Sequence, residues 1–179
     1  DSYEIEITDK DGNPLGEPYF GMELALGDTI KTYNTMAELR LDPNGSIVKL
    51  GQDTIFKIEA LQKSQNESNN FALLKGKMRA VAARGTGSNY SIRTPSAVCG
   101  VRGTDFMQET LPGERDAAVC KEGEIEFINT KTGESVTLTS GQGADVFADA
   151  FQPYSIPEDQ LQQMFDQMGF DQLDPTTVP

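Results

Sequence analysis

Cys99 and Cys120 are the most reactive side chains in this 179-residue chain, and each stands in an apolar, strand-like stretch. In an oxidising compartment a disulfide between them would close a loop of about twenty residues and contribute about 3 kcal/mol. Two buried reduced thiols are the alternative, and the residues leave both readings open. A nucleophilic or redox role is disfavoured: no histidine exists to activate a thiol, and Cys-x-x-Cys spacing is missing. The lack of histidine also removes the commonest general base and transition-metal ligand, which excludes histidine-dependent triads and zinc sites. Asp9, Asp11 and Asn13 have the one, three, five spacing that opens a calcium loop. Glycine falls at the fourth position, Pro14 takes the sixth and Phe20 the twelfth, so the helix-flanked type fails and only a looser cation site is left. Arg84-Gly85-Thr86-Gly87-Ser88-Asn89 resembles a phosphate loop, but no lysine and no apolar helix pattern follow it, so it reads as a hairpin tip. Glu4 with Glu6 and Glu122 with Glu124 alternate as an exposed strand requires for solubility, which is weak support for paired-carboxylate hydrolysis. These patterns point away from an enzyme, and none of them requires a cofactor.

The elements that position these residues are short strands. An apolar fraction of 37% with 17 glycines and 9 prolines suits strands joined by turns better than long helices. Ile5 to Ile7 alternate with acids and meet the dense turn signal Asp9 to Pro14. From Leu26 the pattern reads as a meander: Gly27 to Thr32, Ala37 to Leu41, a turn at Asp42-Pro43-Asn44-Gly45, Ser46 to Leu50, and Thr54 to Ile58. Gln62 to Asn70 is polar and reads as a solvent loop. Phe71 to Val81 is a strand pair or one strand broken at Gly76, and further strands are expected at Tyr90 to Thr94, Ala117 to Cys120, Gly123 to Ile128 and Ser135 to Thr139. The expected fold is all-β, a two-layer sandwich or a solenoid-like module, over residues 1–150. Register is set by long-range pairing, so the spacing does not choose between the two.

Residues 151–179 form an acidic tail of a different kind. Leu161, Met164, Phe165 and Met168 fall at i, i+3, i+4 and i+7, Ser155 with Glu158 resembles a capping box, and Gly169 can close the end. One amphipathic helix is expected. Its apolar face either covers an open end of the sheet or docks onto a partner. The net charge of −13 is concentrated at the ends, with −5 in residues 1–20 and −5 in residues 151–179, leaving −3 between. Without a basic stripe, nucleic-acid binding and electrostatic membrane docking are disfavoured. No run of 18 apolar residues exists to insert into a membrane. A start at Asp1 fits a mature or trimmed exported protein.

The stretch Arg93 to Phe106 is rich in small residues. Thr94-Pro95 should open a strand where a missing amide donor does no harm, and Gly100 and Gly103 leave room for a neighbour or a bulge. Thr94, Pro95, Ala97, Val101, Arg102, Gly103, Thr104 and Phe106 together resemble the core motif of the FecR family of bacterial envelope proteins, roughly Thr-Pro-x-Ala-x-x-x-Val-Arg-Gly-Thr-x-Phe. The resemblance extends over residues 21–147 through Gly27-Asp28-Thr29, Ala37 to Leu41 with Gly45-Ser46, Leu74 to Lys77, Gly123 to Ile125, and Leu138 to Gln142. It implies a non-catalytic all-β module in the periplasm or at the cell surface that senses a signal or binds a protein. The family's best-known members relay a siderophore-receptor signal to a sigma factor. These 179 residues show no cytoplasmic anti-sigma segment, membrane helix or αβ receptor-binding domain, so the implied role narrows to a module that scaffolds or binds an envelope protein.

Within the motif, alternation puts Ala97, Cys99 and Val101 on one face and Val98, Gly100 and Arg102 on the other. Arg102 is then expected to be partly buried in a salt bridge with Asp105 or another acid. The alternative is an anion clamp shared with Arg84 or Arg93. A carbohydrate- or cell-wall-binding module is the competing function. It needs a coplanar exposed set from Tyr19, Phe20, Tyr33 or Tyr90, and the absence of tryptophan weakens it.

Overall fold

The computed structural model describes residues 4–42, 45–61, 69–84 and 89–179. Strand β1 (Ile5–Thr8) pairs antiparallel with β2 (Thr29–Thr32), whose other edge pairs with β5 (Ile55–Ala60). Between them in sequence, β3 (Ala37–Leu41) and β4 (Ser46–Leu50) form a hairpin that lies elsewhere. The expected meander is therefore corrected: the strand positions hold, but β2 does not pair with β3, nor β4 with β5. The polar turns between them permit a change of layer as readily as a hairpin, and only distant pairing decides which occurs.

That pairing is supplied by β6 (Asn69–Val81), 13 residues long. Its first half joins β5 and runs parallel to β7 (Tyr90–Arg93), whereas its second half joins β4 and β9 (Asp105–Leu111). The change falls at Gly76, which has φ +102° and faces Thr54 so closely that an added Cβ would lie 2.6 Å from the Thr54 Cα. The Thr54 hydroxyl accepts the Lys77 N–H at 3.2 Å and so holds the bend from inside. A residue without a side chain is needed there on both counts. Asn69 and Asn70, expected in a loop, open β6 instead; residues 62–68 of that predicted loop, and 85–88 of the glycine-rich tip, lie outside the described residues.

From β7 the chain turns into β8 (Ala97–Val101), then β9, β10 (Arg115–Glu122), β11 (Glu124–Asn129), β12 (Ser135–Thr139), β13 (Gln142–Asp145) and the short β14 (Tyr154–Ser155). The front layer runs β1-β2-β5-β6-β7-β8-β11-β12 and the back layer β3-β4-β6-β9-β10-β13-β14, both within one 14-stranded sheet curled over at β6. The fold is thus all-β with two layers. Phe56, Phe71, Ile92, Cys99 and Phe127 from the front meet Leu50, Met78, Phe106 and Cys120 from the back in one core, with the Phe56 and Phe71 rings stacked at 5.2 Å. Burying each such aromatic contributes about 2–3 kcal/mol. At one end β12 lies against β10 and β13 and closes the layers. Among the described residues, the β1 and β3 end stays open.

The tail continues through α1 (Glu158–Gln167) onto the outer face of the back layer. Pro157 occupies the N-cap position and makes no side-chain cap, so the capping box expected from Ser155 and Glu158 does not form: Ser155 is committed to β14.

The signature turn, the tail track and the open cleft

The signature is a turn, a strand and a second turn. Thr94 to Ser96 link β7 to β8, and the Thr94 hydroxyl accepts the Ala97 N–H at 3.0 Å and the Ser96 N–H at 3.3 Å. The same hydroxyl donates to Asp116 Oδ2 on β10, pinning the front-layer turn to the back layer. Asp116 is fully buried, and its Oδ1 finds no hydrogen-bond partner among the described residues. Burial raises its carboxyl to about 6; the Thr94 hydroxyl and the Ser96 backbone oppose that rise, and the Asp145 carboxylate adds to it. Ala97, Cys99 and Val101 face the core as the alternation predicts, and Phe106 is fully buried.

Arg102 does not follow the expectation. Strand β8 ends at Val101, so Arg102 sits in the following turn and is exposed. Asp105, its expected partner, instead binds Arg79 through Nε at 3.0 Å and Nη2 at 2.8 Å. The other candidate clamp residues are also committed, Arg84 to Glu122 at 2.6 Å and Arg93 to Glu59 at 2.9 Å. Gly103, at φ +60°, brings the turn against Arg84, where an added Cβ would meet the Arg84 Cγ at 3.1 Å. Pro95 and Thr104 complete the motif, the latter buried with an unpartnered hydroxyl among the described residues. Cys99 and Cys120 stand as free thiols, both fully buried. Burial pushes the Cys99 thiol far up, and it raises Cys120 to about 11 with help from Asp105 and Glu124.

The tail occupies a track that the sequence reading missed. Register places Glu38, Lys49, Arg79, Met107 and Val119 directly opposite one another on β3, β4, β6, β9 and β10. Such cross-strand neighbours lie about 5 Å apart and form one row on the outer face. Phe165 and Met168 are buried on Met107 and Val119, with Leu161 and Met164 half-buried beside them. The helix face that was a candidate docking surface is therefore largely taken up by the chain's own back layer. Arg79 donates to the Phe165 and Met168 carbonyls at 3.2 and 3.4 Å, supplying positive charge to a helix end that has no basic residue of its own. Its guanidinium also lies 5.1 Å from the Phe165 ring centre.

Farther along the row, the buried Lys49 ammonium binds Glu38 at 2.8 Å and Asp171 at 2.9 Å. Glu38 in turn accepts the Asp171, Gln172 and Leu173 N–H groups at 2.7–3.0 Å. Burial alone would lower Lys49 and raise Glu38, but these bonds outweigh it, so Lys49 is held above and Glu38 below its ordinary value. A single cation inside the apolar run Ser46 to Leu50 was the available signal. It reads as a solvent-facing lysine until something is known to cover that face.

At the open end, a cleft of about 1660 Å³ runs between β3 and the β1-β2 edge, reaching inward to Ile30, Phe56 and Phe71. Tyr19 and Phe20 stand over it, 69% and 88% exposed. Tyr33 is exposed and bonds Glu6, but Tyr90 is buried in the core, so the four aromatic residues do not form one exposed set. The Asp9 to Asn13 segment is a turn closed on itself, with Asp9 accepting the Asp11 and Asn13 N–H groups at 2.9 Å; the bond from Asn13, opposed by burial and aided by the bond from Asp11, lowers the Asp9 carboxyl.

Two crystal structures of a candidate anti-sigma factor from Parabacteroides distasonis share the fold, with TM-scores of 0.62 and 0.63 at 15% identity. Each match covers 75% of this chain and 62% of that one, so the chain spans less than two thirds of their length. No curated protein matches the chain in sequence. The FecR protein family model matches residues 28–126, a shorter span than the motif-by-motif resemblance but more than half of the chain, and the protein therefore belongs to the FecR family.

Proposed function

We propose that this chain is a non-catalytic, extracytoplasmic β module of the bacterial cell envelope that acts by binding a protein partner, in sensing or relaying a signal. FecR proteins are regulatory rather than enzymatic, and the solved structures that share the fold are of a candidate anti-sigma factor. The observation that carries the reading is how the signature residues are used. Thr94, Ala97, Val101, Gly103 and Phe106 build turns and core, and the Thr94 to Asp116 bond ties the two layers together, so the motif maintains a scaffold. Recognition then falls to edges, loops and the open cleft.

The test has two parts. Fusion to a reporter enzyme active only outside the cytoplasm, with protease protection of intact and permeabilised cells, examines location. Affinity purification of the full chain from envelope extract, with mass spectrometry against an unrelated acidic β protein, examines binding. One enriched envelope protein supports the proposal; a cytoplasmic location, or enrichment no different from the control, refutes it. A second reading, a carbohydrate- or cell-wall-binding module, is favoured by exposed Tyr19 and Phe20 beside a cleft. Calorimetric titration with cell-wall oligosaccharides tests it directly.

A further inference from the structure

Among the described residues, β1, β3, β12 and β14 are the edge strands, and the structure separates them as candidates for pairing with another chain. Residues 13–15 cross the outer side of β1, through the Thr8 to Pro14 bridge and the Leu15 N–H donated to the Ile7 carbonyl. Strand β14 is only 2 residues long. Along β12, Ser135, Thr137 and Thr139 are exposed and polar, and the strand closes against β10 and β13. Strand β3 differs: it pairs with β4 on one side only among the described residues, and Ala37, Leu39 and Leu41 are half-buried apolar residues along the lip of the cleft.

Exposed large apolar side chains gather at the same place. Tyr19, Phe20, Met36 and Leu61 all line the cleft and are all exposed. An apolar patch of this kind around a concave opening, on a protein of net charge −13, marks a contact surface. The rim sets the sign of the partner. Its four acids, Glu23, Glu38, Asp42 and Asp171, outnumber its two bases, Arg40 and Lys49; Arg40 pairs with Asp42 and Lys49 with Glu38 and Asp171, so the rim keeps a net negative charge. A second copy would bring −13 against −13, which electrostatic complementarity disfavours.

We infer that the β3 edge and the cleft beside it accept an extended segment of another protein, which adds a strand to the back layer. The segment places alternate apolar side chains into the cleft and carries basic residues at its flanks. Strand addition satisfies the unpaired edge of β3, and a period of two sends every second side chain toward Phe56 and Phe71 while the others face solvent. Tyr19 and Phe20 close over the inserted side chains. Asp171 to Leu173, fixed by Glu38, form the rim at one end, so the tail track and the cleft meet at β3. This inference rests on the protein-binding reading above and names where and how that binding occurs.

The probe is a blocked twelve-residue peptide of alternating valine and threonine with two lysines at each end, titrated into the isotope-labelled full chain and followed by amide chemical shifts. Shifts and slowed hydrogen exchange concentrated at 37–41 and 19–24 are expected. Exchanging the lysines for glutamates, or N-methylating alternate peptide amides, should each weaken binding at least tenfold. Phe20→Ser, at a side chain too exposed to matter for folding, should weaken it about tenfold. Absence of binding, shifts confined to β12 or β14, equal binding of the N-methylated peptide, or cleft shifts produced by a cell-wall oligosaccharide and not by the peptide would each overturn the inference. The two proposals fail separately. Capture of the envelope partner by the Phe20→Ser chain at wild-type level removes the cleft as its site and leaves the protein-binding role standing. Cleft shifts with the peptide but no partner from the envelope retain the surface and remove the role.

Discussion

Replacing Asp116 by asparagine isolates the ionisation of the β10 carboxyl to which the signature turn is bonded. Asparagine keeps the size of the side chain and an acceptor for the Thr94 hydroxyl but cannot lose a proton. Asp116 is fully buried, and burial, the dominant cause, raises its carboxyl to about 6. In the unfolded chain an aspartate titrates near 3.9, so the folded state holds the proton more tightly. The stability from this site is therefore complete below about pH 4 and is lost as pH rises through about 6. A gap of about two pKa units corresponds to about 3 kcal/mol. Urea unfolding of both proteins from pH 4 to pH 8 gives the wild-type minus Asp116→Asn difference. That difference should fall by about 2–3 kcal/mol across the range and level off above pH 7. Glu38, held below its ordinary value, costs stability as pH falls, but it titrates in both proteins and cancels. The asparagine amide, placed where Oδ1 has no partner, adds a constant offset and no slope. A difference that is flat with pH, or that grows as pH rises, refutes the reasoning.

The remaining predictions concern the scaffold. Arg79→Met should cost about 3–5 kcal/mol, because it strands the half-buried Asp105 beside a buried face, and should speed hydrogen exchange across 158–170; adding Asp105→Leu should recover much of the loss. A loss under about 1 kcal/mol would mean that the pair does not anchor the tail. Gly76→Ala combines a left-handed φ with a clash against Thr54 and should cost at least about 1–3 kcal/mol, read as a lowered Tm. Rapid reaction of either cysteine with a thiol reagent in the native protein at pH 8 would contradict the burial of Cys99 and Cys120; labelling should begin only on unfolding.

Local pattern made the elements legible and left the layers hidden. Ala37–Leu41 and Ser46–Leu50 appear where turn residues and β-branched runs place them. Leu161, Phe165 and Met168 fall on one helix face because 3.6-residue spacing is a local property. The assignment of β3 and β4 to the layer opposite β2 and β5 depends on the bend in β6, and Gly76 signals only that a break is possible there. Lys49 and Arg79 were missed for a related reason: a cation on a strand reads as solvent-facing, and here its face is covered by residues more than eighty positions away in the chain. Arg102 was misplaced because the alternation was carried one residue past the end of β8.

The claim that this chain works by binding a protein is tested most directly inside the cell. A photoreactive side chain is placed at Phe20, at Leu39 or, as a control, at the exposed Lys131, and the envelope is irradiated before extraction. The account predicts one discrete adduct with another envelope protein from positions 20 and 39 and none from position 131. No adduct from either cleft position, or the same adduct from all three, would contradict it.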